Sequence, residues 1–290
     1  MQTKPLLFVG ITTWNSDLFI ETCIQAVKRF TDPASTEIVV WDNESTDDTV
    51  AIAKAHGVKV ISCRCPQARA LNELFSQSRA IYTLLIHSDV VLLDPRWLDV
   101  CAKYLVGNVA LVSPEDIGCG PYTRPWGKDK PESSFLLFRT ELARDARIWT
   151  WTRKFLLRWP SRTLNFFGEH VTYNLPKTLE AKGLYWQPMA VHTSTVEDAP
   201  LFTPSFTPKY WQDSLSHFRY GLGNFYSLDG IITHYHNWFD REVSASKSLE
   251  DSSTETIPRD GGLPAAFVKS YSLRFLADAN SSKIVIPNIS

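Results

Sequence analysis

Three groups of polar residues in the N-terminal part of the chain each follow an apolar run. Thr12, Thr13 and Asn15 follow residues 6–11, Asp42 and Asn43 follow residues 37–41, and His87, Ser88 and Asp89 follow residues 81–86. Hydroxyls, amides, carboxylates and an imidazole gathered at strand ends are the groups that recognise a polar ligand. Parallel sheets bind ligands beyond the carboxyl ends of their strands. Further along stand Glu169-His170, a lone His192, and His234-x-His236. Residues two apart on a strand share a face, so His234 and His236 could reach one ion; a structural or acceptor-binding role is the reading preferred for them. Glu169 at a helix start also favours the helix dipole whatever else it does. Cys63-x-Cys65 has no partner pair at zinc-finger spacing, and the five cysteines read as free thiols in a reducing compartment.

The elements that would hold these residues alternate. Strands are expected at 6–11, 37–41, 58–62 and 81–86, with an extended run at 90–93. Helices are expected at 18–27, from a Ser45-x-x-Asp48 capping box to residue 55, at 67–78, and from Pro95 onward. Strands separated by helices predict an α/β fold with a mainly parallel sheet. Beyond them come strands at 109–112 and 134–139, a helix at 140–146, a helix at 171–182 and a strand at 184–191. Residues 118–130, with Gly120, Pro121, Trp126 and Gly127 among them, read as a loop. The aromatics from Tyr210 to Trp238 read mostly as core or interface. Residues 244–256 are polar and read as a loop.

Asp42-Asn43-Glu44-Ser45-Thr46-Asp47-Asp48-Thr49 resembles the D-N-x-S-x-D-x-T signature of family 2 glycosyltransferases, which have the GT-A fold. His87-Ser88-Asp89 is similar to that fold's D-x-D motif, with His in the first place. Phe167-Gly168-Glu169-His170 resembles the family's G-E-D motif, with His where the family has Asp. The resemblance runs over residues 6–192. It implies a GT-A sandwich at 1–198; residues 199–290, which carry no such resemblance, read as an aromatic-rich C-terminal extension for which acceptor binding and oligomerisation are both open. It implies that Asp42 and Asn43 hold the nucleobase, usually uracil, and that Thr12, Thr13, Asn15, His87 and Ser88 line the donor. Arg69, on the helix facing the nucleotide, would pair with a phosphate or stand in solvent. Asp89 would bind a divalent ion, Mn²⁺ or Mg²⁺, because a nucleoside diphosphate leaves poorly without one and a hard cation prefers carboxylate oxygen. His192, at the spacing of a metal-binding His in some members, would complete the protein's share of the shell. Glu169, with His170 as the alternative, would deprotonate the acceptor.

The implied function is inverting transfer of a sugar from a nucleoside diphosphate sugar, UDP-linked, to an acceptor hydroxyl. Two alternatives stay open: a retaining transferase, and a non-catalytic glycan- or protein-binding module, for which His87 and His170 are the motif departures. The chain has 290 residues, 44% of them hydrophobic, and a formal net charge of −1, so no basic excess points to nucleic acid. No run of about 18 uncharged apolar residues would span a bilayer. A cytoplasmic enzyme is expected, with a homodimer among the assemblies compatible with the aromatic segment. Residues 148–160 mix Trp with Arg and Lys; they read as a partly buried helix, with peripheral membrane contact as the alternative.

Overall fold

A computed structural model describes residues 4–119, 122–123, 129–145, 171–172, 174–193, 220, 223–237 and 265–284. The first five strands are β1 (Leu7–Thr13), β2 (Thr36–Asp42), β3 (Lys59–Ser62), β4 (Tyr82–His87) and β5 (Val90–Leu92). Between and after them lie helices α1 (Ile20–Arg29), α2 (Thr49–Ala55), α3 (Gln67–Gln77) and α4 (Trp97–Ala102). Then come β6 (Val109–Pro114), β7 (Gly118–Cys119), β8 (Tyr122–Thr123), β9 (Phe135–Arg139), α5 (Thr140–Asp145), α6 (Leu175–Glu180), β10 (Tyr185–Thr193), β11 (Gly223–Leu228), β12 (Ile231–Asn237) and α7 (Ala265–Asn280).

Ten of these strands form one sheet in the order β3-β2-β1-β4-β9-β6-β10-β11-β12-β5. The four at the β3 end run parallel, so β1, β2 and β4 all deliver their carboxyl ends to one edge. β9 enters antiparallel between β4 and β6, and β6 and β10 run parallel beyond it. β11 and β12 form an antiparallel hairpin whose far strand pairs with the short β5. The stretch beyond 198 therefore contributes two strands to the same sheet. β7 and β8 form a small separate ribbon within the 118–130 region.

Both faces of the sheet are covered, and the strand side chains alternate between them. Leu7, Val9 and Ile11 join the layer beneath α1 and α4, together with Leu84 and Ile86. Phe8, Val39, Trp41 and Leu85 join the layer beneath α3, with Leu74 and Phe75. Gly10 allows that close approach: a Cβ there would meet Leu85 Cδ2 at 2.8 Å and Leu74 Cβ at 3.1 Å. In the same layer as α1 and α4, toward the β12 end of the sheet, Tyr235 stacks on Phe275 of α7 at 4.1 Å and meets Phe225 at 4.8 Å. These aromatics are core, as their buried rings require.

Three helix starts differ from the sequence expectation. α2 begins at Thr49 rather than just after Ser45, and Ser45 is not its cap. The Ser45 hydroxyl is committed to the Asp42 carboxylate instead. α4 begins at Trp97, because the Asp94 carboxylate accepts from the Arg96 N–H and guanidinium and holds a turn there. α6 begins at Leu175 with Pro176 in its first turn, where a missing N–H costs nothing.

Candidate active site

The carboxyl edge of β1, β2 and β4 is held by a web of side-chain to backbone hydrogen bonds. Asp42 ends β2, only 1% exposed. Its two oxygens accept from the Ser45 N–H at 3.2 Å each, as well as from the Ser45 hydroxyl. Ser45 Oγ in turn accepts from the Asn15 N–H at 2.8 Å, and Asn15 Oδ1 accepts from the Thr46 N–H at 2.8 Å. Asn15 and Glu44 both have positive φ, at 49° and 60°. A side chain that bonds locally makes the left-handed conformation tolerable for Asn. Asp47 accepts from the Asp17 and Thr49 N–H groups, and Thr49 Oγ1 from the Ser16 N–H. The Asn43 amide oxygen accepts from the Cys65 N–H at 2.7 Å. The D-N-x-S-x-D-x-T stretch thus fastens the loops after β1, β2 and β3 to one another.

Thr12 Oγ1 reaches the Ile86 carbonyl at 3.4 Å, and Ser88 bonds both to the Thr12 carbonyl through its N–H and to Ser16 through its hydroxyl. Thr13 Oγ1 is buried without a hydrogen-bond partner among the described residues. Arg69 points into solvent on α3, its side chain 64% exposed and 3.9 Å from Glu73.

β4 ends at His87 and β5 starts at Val90, so Ser88 and Asp89 form the link between them. β12 lies antiparallel against β5 with His236 opposite Val90, and the Asn237 N–H donates to the Asp89 carbonyl at 3.0 Å. That register places His236 Nε2 3.4 Å from Asp89 Oδ1. His87 Nδ1 lies 4.0 Å from the same oxygen, and the two imidazoles meet edge to face at 5.9 Å. The Gln67 amide sits 2.5 Å from His87 Nε2 and fixes that ring. Among the described residues, His87, Asp89 and His236 form a group whose ligand atoms all lie within 4.8 Å of one another.

Behind His236 stands a second carboxylate. Glu132 Oε1 lies 2.7 Å from His236 Nδ1. Burial pulls the His236 pKa down, but Asp89 and Glu132 outweigh it and raise it to about 10. Burial pushes Asp89 up, and His236 and His87 outweigh that, leaving it below the usual carboxylate value. Two carboxylates against one imidazolium leave an excess of buried negative charge, which a proton only partly offsets. A divalent cation in the proton's place would neutralise it. The spacing also suits one. Ligands at right angles around an ion at roughly 2.1 Å stand about 3 Å apart, close to the Asp89–His236 separation.

His192 is not brought to this group. It lies on β10, paired with Phe225 of β11, and its Nε2 sits 2.8 Å from Ser227 Oγ. It is 2% exposed, and burial lowers its pKa to about 4. His234, two residues before His236, goes to the core: it stacks on Phe135 at 4.0 Å and on Tyr226 at 4.6 Å. Glu169, His170, Trp126 and the 148–160 segment lie outside the described residues. The sequence does not assign His236 to the Asp89 ion, it places Gln67 only on the nucleotide-facing helix without a role, and it gives Glu132 none. The shared face of His234 and His236 was a signal for the first; nothing local marked the other two.

A family model described as glycosyl transferase family 2 matches residues 8–172, more than half of the chain. An uncharacterised glycosyltransferase of Rickettsia typhi is 53% identical over 51 residues, and one of Rickettsia prowazekii is 51% identical over 51 residues. Each match spans 18% of this chain and 16% of the relative. Among solved structures, glucosyl-3-phosphoglycerate synthase from Mycobacterium tuberculosis, in complex with Mn²⁺, UDP and glucosyl-3-phosphoglycerate, is 24% identical with a TM-score of 0.34. It covers 38% of this chain and 43% of its own. S. aureus TarS in complex with UDP-GlcNAc is 18% identical with a TM-score of 0.39, covering 49% of this chain and 48% of its own. Among the described residues, no helix is long and apolar enough to cross a membrane.

Proposed function

The chain belongs to glycosyl transferase family 2, and we propose that it transfers a sugar from a nucleoside diphosphate sugar, UDP-linked, to an acceptor hydroxyl with inversion. The observation that carries this reading is the convergence of Asp89 and His236 beside the carboxyl edge of β1, β2 and β4. A cation held there would lie where a parallel sheet presents its ligand, which supports the reading.

Asp42 and Asn43 take the nucleobase; a carboxylate has lone pairs beyond those given to Ser45. Thr12, Thr13, Asn15 and Ser88 line the donor on the same edge. Asp89 and His236 hold the cation, and His87 stands beside them with its ring fixed by Gln67. Bound there, a divalent cation neutralises the charge that collects on the departing diphosphate. Imidazole nitrogen suits Mn²⁺ better than Mg²⁺, which favours oxygen donors, so Mn²⁺ is the ion the set fits best. Glu169 accepts the acceptor hydroxyl's proton as that oxygen bonds to the anomeric carbon and the bond to the diphosphate breaks; His170 is the neighbouring base. The transition state gathers positive charge on the sugar ring, which the diphosphate opposite helps to stabilise.

The test is thermal melting with UDP, Mn²⁺ and both together, followed by NMR of the product formed from a panel of UDP sugars. Stabilisation by the pair beyond either alone, and a product of inverted anomeric configuration, are expected. No stabilisation by any common nucleoside diphosphate with Mn²⁺ would overturn the reading, and a retained configuration would overturn its inverting part.

A further inference from the structure

The hydrogen bonds around His236 lead away from the ligand edge into the core. Glu132 precedes β9 and is 3% exposed. Its Oε1 accepts from the Ser134 hydroxyl at 2.6 Å and lies 2.7 Å from His236 Nδ1. Its Oε2 accepts from the Tyr226 hydroxyl at 2.6 Å, and that hydroxyl accepts from Asn224 Nδ2 at 3.1 Å. The Glu132 N–H donates to the Pro114 carbonyl, which ties its backbone to the end of β6. A carboxylate this deeply buried is costly unless its oxygens are well supplied with donors, and here two hydroxyls supply them, with the His236 ring beside Oε1.

This geometry has a direction. An imidazole has two nitrogens, and the one that faces a carboxylate decides what the other can do. With Nδ1 held by Glu132, the ring is turned so that Nε2 faces Asp89 at 3.4 Å. A carboxylate behind a ligating imidazole also makes it a stronger donor.

We propose that Glu132 is a positioning residue that sets His236 as a metal ligand, with Tyr226 holding Glu132 in place. The inference rests on the reading of Asp89 and His236 as a cation site, and it extends that site three residues into the core. Glu132 acts through the His236 ring. The contacts to Tyr226 and His236 join the segment before β9 to β11 and β12, so the ligand geometry depends on the sheet's far side being closed.

The experiment is Mn²⁺ titration of the 290-residue chain by electron paramagnetic resonance, without nucleotide, comparing wild type with Glu132→Gln and Tyr226→Phe. Spin-echo modulation from bound imidazole nitrogen is recorded for each, and circular dichroism reports folding. Wild type should bind Mn²⁺ and show nitrogen modulation. Glu132→Gln keeps the shape and should bind Mn²⁺ about 10–100-fold more weakly, with the nitrogen modulation reduced. Tyr226→Phe leaves the carboxylate and should weaken binding by about 2–10-fold. If wild type neither binds Mn²⁺ nor shows nitrogen modulation, the cation reading itself fails. If wild type does both and a folded Glu132→Gln matches it, the positioning role fails. If Glu132→Gln does not fold, an unchanged affinity in Tyr226→Phe overturns the proposal.

Discussion

The two ends of the ten-stranded sheet hold their candidate site residues differently. At the β3-β2-β1-β4 end, every site residue follows a strand that runs parallel to its neighbours, and short loops fasten one strand end to the next. At the β11-β12-β5 end, a hairpin from late in the chain folds back on a three-residue strand from early in it. The first end holds its residues with local bonds. The second brings Asp89 and His236 together only through strand register. The proposed donor site is therefore built into one supersecondary unit, whereas the proposed cation site forms only when distant parts of the chain have paired.

That contrast can be broken at several points. The largest effect is expected at Asp89, which belongs to both regions. Asp89→Ala should lower Mn²⁺-dependent release of UDP from the donor by roughly 10³-fold, since charge stabilisation by a metal is worth several kcal/mol. Steady-state rates at saturating donor would measure it, and a loss under tenfold would separate Asp89 from the chemistry.

The next effect concerns His192, which serves the second region without serving the ion. Its folded pKa is about 4 against an ordinary value of 6.5. The folded state therefore favours the neutral ring. Its contribution to stability is fully present above pH 6.5 and is lost as pH falls toward 4, because the unfolded chain takes up the proton first. The loss should reach about 3 kcal/mol. Urea unfolding between pH 7 and pH 4 should show it, and His192→Asn should remove that part of the slope while leaving the rest.

The smallest effect belongs to Arg69. Its side chain is exposed and 3.9 Å from Glu73, an i,i+4 pair on the surface of α3. Arg69→Ala should cost no more than about 0.5 kcal/mol of stability and leave the donor KM within about twofold. A tenfold rise in KM would instead assign this residue to a phosphate.

The first region was legible in the sequence because its signals are local. An apolar run that stops at Thr, Asp or His marks both a strand and its end, and the parallel strands follow from the alternation with helices. The boundaries moved where a side chain chose another partner. Ser45 reads as a helix cap beside Asp48, but the Asp42 carboxylate three residues earlier competes for its hydroxyl and wins. The helix near residue 171 yields to Pro176, whose first-turn preference was visible in the sequence. The second region was not legible. A shared face for His234 and His236 follows from strand periodicity, but whether that face meets Asp89 depends on pairing between β12 and β5, which no local pattern encodes. Glu132 is the same case: it stands in a turn-like Lys130-Pro131-Glu132-Ser133-Ser134 stretch, and only the closed sheet shows its carboxylate behind an imidazole.

The central claim is that His236, and not His192, joins Asp89 around a divalent cation. Calorimetric titration of Mn²⁺ into the 290-residue chain, His236→Ala and His192→Ala tests it most directly. The account predicts roughly a 100-fold loss of affinity in His236→Ala, with His192→Ala within about threefold of wild type. Unchanged affinity in His236→Ala together with a large loss in folded His192→Ala would contradict it.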